Sequence, residues 1–310
     1  MKAAEADDPT VRLPPPVRRR WRWLAVGLAL VVLAAGGFLA WRMLRPAGPP
    51  ILRAGEAVID ANHRPGLTVF RFAPDPAILV LDFTDLEQQG LMLDRVAAFV
   101  EKAGLPKDRL LNTADLDAAI RAGGDTVATY YYGHDYSAAD LARFFALAKL
   151  EAIHLDAQEI WLRRLLRRLG WLRPGAVGAL LSIPRVGPGI DAKARATILH
   201  HELSHGFYFT DAGYRRFVAH FWHATLTPAE RAGFRRFLGS EGYDTHIPLL
   251  MMNETQAYLM FTPDPRFFRA AVAGLSEAEA VRLRASFRAG MPKGWLEQTL
   301  AHPPAVLASK

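Results

Sequence analysis

The chain contains no cysteine among its 310 residues. Disulfides are therefore excluded, and any metal site has to be built from histidine and carboxylate rather than thiolate. That absence fits a domain outside the cytoplasm but fixes no compartment. Charge is missing altogether from residues 23–41, a run of 19. Internal repeats are lacking, and no second apolar block is set apart by a linker, so one folded domain accounts for most of the chain. No nucleic-acid motif accompanies the net charge of +7, much of which is arginine beside the uncharged run or within residues 150–173.

The uncharged run is long enough to cross a bilayer as a helix. Trp21, Trp23 and Trp41 stand at its ends, where interfacial aromatics are expected. It is too long for the apolar core of a signal peptide and no A-x-A site ends it, so it reads as an uncleaved anchor. Arg12, Arg18, Arg19, Arg20 and Arg22 precede it, against Arg42, Arg45 and Arg53 after it. The positive-inside rule then keeps the N-terminus in the cytoplasm. The expected organisation is a basic, proline-rich cytoplasmic tail (1–22), a transmembrane anchor (23–41), a linker (42–55) and a folded domain (56–310). The alanine- and arginine-rich composition suggests a bacterium, which places the domain in the periplasm, tethered to the inner membrane.

Within that domain, β-branched and aromatic runs predict strands at 68–72, 78–83, 126–132 and 176–183. Apolar spacing and capping residues predict helices at 86–103, 113–121, 150–173, 214–224 and 227–238, with another after the Ser137–Asp140 cap and a capping box at Ser276–Glu279. The fold class expected is α+β. The helix at 150–173 carries Arg163, Arg164, Arg167, Arg168 and Arg173 among leucines. It reads as an amphipathic surface helix, with contact to anionic lipid as the sharper alternative.

The chemistry concentrates at His201-Glu202-Leu203-Ser204-His205, an H-E-x-x-H pentapeptide that follows helix-forming residues capped by Asp191. On a helix His201 and His205 lie one turn apart on one face, close enough to share a metal ion. Glu202 projects about 100° further round, beside the ion rather than on it. A catalytic zinc usually has three protein ligands. Glu254, a carboxylate in the otherwise apolar stretch 247–261, is the candidate for the third, since burying it unpaired is costly.

An H-E-x-x-H helix followed some fifty residues later by Asn253-Glu254-Thr255-Gln256-Ala257-Tyr258 resembles the gluzincin branch of the zinc metallopeptidases. The histidine-ligand metzincin pattern is excluded, because positions 208 and 211 are Tyr208 and Asp211. The resemblance covers roughly residues 176–262. It implies an α+β, mainly helical zincin-like domain with a small sheet and a zinc ion held by His201, His205 and Glu254. It also implies a zinc-activated water with Glu202 as its general base, and a peptide or protein substrate lying along an edge strand, here 176–183. Tyr243, His246, Tyr258 and His223 are candidates for stabilising an oxyanion. Asp211 and Asp244 are candidates for accepting the second nitrogen of each ligand histidine.

Two other readings fit parts of the pattern. One is a membrane-tethered binding or scaffold protein with a structural or lost metal site. The other pairs Glu202–His205 with Glu151–His154 as the two E-x-x-H motifs of a di-iron bundle, which the intervening strands oppose. Gly133-His134-Asp135 reads as a turn that happens to carry a histidine.

Overall fold

The computed structural model describes residues 50–301, 303 and 305–308, all within one unit, Pro49–Lys310. The described chain opens with strand β1 (Ile51–Ala54) and a short helix, α1 (Glu56–Asp60). Strands β2 (Thr68–Phe72) and β3 (Ile78–Phe83) follow, then helices α2 (Leu86–Val100) and α3 (Thr113–Ala122). Strand β4 (His134–Ser137) runs directly into α4 (Ala138–Leu150), and α5 (Ala157–Leu169) precedes β5 (Ala179–Pro184). The remainder is helical: α6 (Ala192–Thr210), α7 (Ala212–His220) with one π-helical turn after it (Phe221–Thr225), α8 (Pro228–Ser240), α9 (Pro248–Phe261), a 3-10 turn (Ala270–Ala273), α10 (Glu277–Gly290), α11 (Trp295–Ala301) and α12 (Ala305–Ala308).

The five strands form one mixed sheet in the order β1-β2-β3-β5-β4. β1 is parallel to β2 and β3 is parallel to β5, while the β2–β3 and β5–β4 pairs are antiparallel. Alternation along β3 divides the core into layers. Leu79, Leu81 and Phe83 join Leu93 and Val96 of α2, Phe144 of α4 and Leu162 of α5 on one side. Ile78 and Val80 join Ile198, Leu199 and Leu203 of α6 on the other. Strands β3 and β5 are buried on both faces, which is why they read as apolar runs interrupted only by Asp82 and Ser182. A third core, rich in phenylalanine, holds α7–α10 against the end of α6 through Phe207, Tyr214, Phe234, Phe261 and Phe287. Each such side chain contributes about 1.5–3 kcal/mol by leaving water.

Two features fix α6 on the sheet. Asp191 caps it, its carboxylate accepting from the Ala194 amide at 2.7 Å. Four residues on, Arg195 is only 2% exposed, and its guanidinium grips both oxygens of Asp82 on β3 at 3.0 and 3.1 Å. The same guanidinium donates to the carbonyls of Pro184, Ile59 and Asp60. Near the other end, Gly206 lets the helix approach β3, since a Cβ there would lie 2.8 Å from Ile78 Cδ1.

The structure corrects the expected fold class of an α+β domain preceded by a transmembrane helix. The described protein is mainly helical with a small mixed sheet, and among the described residues no helix is long and apolar enough to cross a membrane. The physical reason is visible in the longest of them: α6 has 19 residues, but Lys193, Arg195, His200, His201, Glu202 and His205 interrupt its apolar surface. The expected tail (1–22) and span (23–41) lie outside the described residues. Of the expected linker (42–55), residues 51–54 form β1 and belong to the sheet.

Several element boundaries also move. Residues 126–132 make turns rather than a strand, with Tyr130 N bonded to Thr126 O, and the strand comes later, at His134–Ser137. The single helix expected at 150–173 is two: α4 ends at Leu150, Ala152 takes a positive φ of 52°, and a capping box of Asp156 and Glu159 starts α5. The strand β5 lies inside the sheet, so the edge expected at 176–183 is instead β4.

Candidate metal centre

The centre forms where α6 crosses α9. Polar side chains midway along both helices clasp them together. Gln256 donates to Ser204 Oγ at 3.1 Å, and Tyr214 donates to Gln256 Oε1 at 2.7 Å. This geometry sets Glu254 opposite the two motif histidines. His201 Nε2 and His205 Nε2 are 2.9 Å apart. Glu254 Oε2 lies 3.8 Å from the first and Oε1 3.7 Å from the second. Glu254 is 0% exposed, and neither of its carboxylate oxygens has a hydrogen-bond partner.

Hydrogen bonding fixes the His201 tautomer. Thr262 donates its one hydroxyl proton to the Ala257 carbonyl, at 3.0 Å. His201 Nδ1, 2.7 Å from that hydroxyl, must then be the donor to it, which leaves the lone pair on Nε2. Behind His205, Nδ1 faces Asp135 Oδ2 at 3.6 Å, and Asn253 holds that oxygen with a 3.1 Å hydrogen bond. Burial pushes His201 well below the ordinary imidazole range, and it pushes His205 down to about 4, so both rings are neutral near pH 7. Burial, and then the neighbouring Glu101 and Glu202, hold Glu254 well above the ordinary carboxylate range.

Two neutral ring nitrogens and a buried carboxylate facing them, beside the Tyr243 hydroxyl, fit a divalent cation. Their separations of 2.9–3.8 Å bracket the roughly 3.3 Å between tetrahedral donors at zinc bond lengths. His200, the histidine beside the motif, is turned away and paired with Glu56 at 2.9 Å.

Glu202 lies to one side, on the wall of a cavity of about 300 Å³ that also exposes His201. Tyr131, Tyr243 and Tyr258 line the same cavity. The Tyr258 ring stands edge-on to His201 at 4.8 Å between centroids. Burial and the nearby Asp135 hold Glu202 well above its ordinary value. Backbone closes over it at Gly133, where a Cβ would sit 2.1 Å from Glu202 Oε1.

The structure thus gathers His201, Glu202, His205 and Glu254, with Tyr243 and Tyr258 beside them. It leaves out the others. His246 is exposed and paired with Asp244, and His223 is exposed on the π-helical turn. Asp211 caps α7 by accepting from Tyr214 N, so neither expected aspartate backs a ligand; Asp135 and Thr262 face the outer nitrogens instead. Glu151 accepts from the Leu110 amide and His154 is exposed, away from the cluster. The segment Gly133–Asp135, read from sequence as an incidental turn, supplies both the glycine over Glu202 and the aspartate behind His205. Its only sequence signal is a glycine preceding a polar, tyrosine-containing strand.

No protein-family model, curated protein or solved structure matches this chain.

Proposed function

We propose that the chain is a zinc-dependent hydrolase, acting on peptides, in which His201, His205 and Glu254 hold the metal and Glu202 is the general base. The observation that carries this reading is Glu254: a fully buried carboxylate without a hydrogen-bond partner, facing the Nε2 atoms of both motif histidines, which lie 2.9 Å from each other. Bound there, zinc would supply Lewis acidity and make water acidic near neutral pH. Glu202 faces the same cavity beside the histidines, where a carboxylate could take a proton from metal-bound water. Tyr243 and Tyr258 offer hydroxyl donors to an oxyanion in the same cavity. The choice of a peptide as substrate rests on the resemblance of the H-E-x-x-H and N-E-x-x-A-Y segments to gluzincins.

Metal analysis of the full chain beside Glu254→Ala tests the site. About one zinc per chain, largely lost in the variant, is the expected result. Zinc retained without Glu254 would move the third ligand elsewhere, and no zinc in either protein after zinc has been offered would end the proposal.

Gly133→Ala is a second test. The new methyl group has to displace the Glu202 carboxylate or the loop above it. Zinc content is expected to hold while peptide hydrolysis falls by at least about tenfold, since misplacement by 1 Å can cost about a hundredfold. Unchanged turnover would show that Glu202 needs no such placement.

A further inference from the structure

Behind the two histidines the cluster continues. Glu101 at the end of α2, Asp135 on β4 and Glu254 on α9 each offer a carboxylate oxygen, and the three oxygens lie within 4.8 Å of one another. All three residues are buried. Glu202 adds a fourth carboxylate to the same region, within 4.8 Å of ligand atoms of Asp135 and His205.

No lysine or arginine forms an ion pair with any of these four among the described residues. Lys107 and Lys102 act on Glu101 only from a distance: Lys107 donates to the Ala98 and Lys102 carbonyls, and Lys102 lies over the Tyr130 and Tyr131 rings. Ionised together, the four carboxylates would carry more charge than a single dication on the histidine side balances, and like charges this close disfavour joint ionisation. Glu254 supplies the independent sign of a ligand, since both of its oxygens are buried and unpartnered.

The remaining carboxylates are oriented as ligands are. Tyr136 donates to Glu101 Oε1 at 3.5 Å, and Asn253 donates to Asp135 Oδ2. A route in also exists. A second cavity, of about 650 Å³ and separate from the one that exposes His201 and Glu202, is lined by Glu101, Asp135 and Asn253.

We propose that Glu101, Asp135 and Glu254 hold a second divalent cation, with Glu254 shared between it and the histidine site. The donor set is all oxygen, which selects a hard ion such as Mn²⁺, Mg²⁺ or Ca²⁺ rather than a second zinc. The ion neutralises the surplus charge and fixes Asp135, and through it the His205 ring. Because Glu254 belongs to both sets, this inference rests on the zinc reading above.

The test uses the full chain, stripped by chelation and then equilibrated with Zn²⁺ alone or with Zn²⁺ and excess Mn²⁺. Elemental analysis and the Mn²⁺ electron paramagnetic resonance signal report occupancy. About one zinc is expected in the first case, and about one zinc plus one manganese in the second. Glu101→Gln should keep its zinc, which also reports that it has folded. Its manganese affinity should fall by at least the roughly 10–100-fold that even outer partners of a metal contribute. Asp135→Asn should lose manganese likewise. One zinc with no manganese, manganese gained only by displacing zinc, or equal manganese in Glu101→Gln and the parent would each overturn the second site and leave the first standing. Absence of zinc from both mixtures would overturn both.

Discussion

Glu202→Gln is expected to lower peptide hydrolysis by about 10²–10⁴-fold, the range in which positioned general bases contribute, while the zinc content stays near that of the parent. Glutamine keeps the shape that fits beneath Gly133 and removes only the ability to accept a proton as a carboxylate. His201, His205 and Glu254 meet without Glu202, so the metal should stay. Stability should not fall either. Burial and Asp135 disfavour the Glu202 carboxylate in the folded chain, and a neutral amide removes that cost. A melting temperature at or above the parent's, with turnover lost, is the signature of a group kept for chemistry at the expense of stability. The measurement is kcat on any peptide the parent cleaves, beside zinc analysis and thermal unfolding of both proteins. Undiminished kcat would remove Glu202 from the mechanism. Loss of zinc together with activity would make it a ligand or a structural residue.

The second large effect concerns Arg195, which acts on stability rather than chemistry. Arg195→Met should destabilise the fold by about 3–5 kcal/mol in urea unfolding, the usual cost of leaving half of a buried ion pair behind. Asp82 would remain with Asn62 as its buried partner and Arg185 at 3.5 Å, and the carbonyls of Pro184, Ile59 and Asp60 would lose a donor. Asp82→Asn should cost less, because those three carbonyls keep the guanidinium. The two changes share partners, so the double variant should lose less than the sum of the singles. A loss under about 1 kcal/mol for Arg195→Met would mean that water or a rearranged Arg185 replaces the guanidinium. Arg195 stands six residues before His201 on one helix, about 9 Å along its axis. The ligands are thus carried on the segment that this pair anchors.

Local signals in the sequence locate much of this structure. Asp191, Ser137, Thr227 and Ser276 announce helix starts, and all four side chains accept the amide three residues on. The histidines and Glu254 are legible because ligand spacing on a helix and a carboxylate in an apolar run are patterns of short range. What is illegible depends on distant packing. Residues 126–132 have the β-branched and tyrosine content of a strand, yet the turn at Thr126–Thr129 and the tyrosine rings along the cavity wall take precedence. Asp135 becomes a partner of His205 only because β4 pairs with β5 and lies against α6. Nothing within a few residues of it encodes that. The break before α5 was available in Asp156 and Glu159, but the arginine–leucine spacing around it masks the restart.

The parallel pairing of β1 with β2 has a practical consequence for anyone shortening the protein. A fragment that begins at Glu56, where the sequence reading starts the folded domain, discards residues 51–54 and leaves the backbone of residues 69–72 without its partner. Those residues, Val69-Phe70-Arg71-Phe72, carry three large apolar side chains along an open edge. Such an edge invites chain-to-chain association, so poor solubility of that fragment would reflect the cut and not the protein.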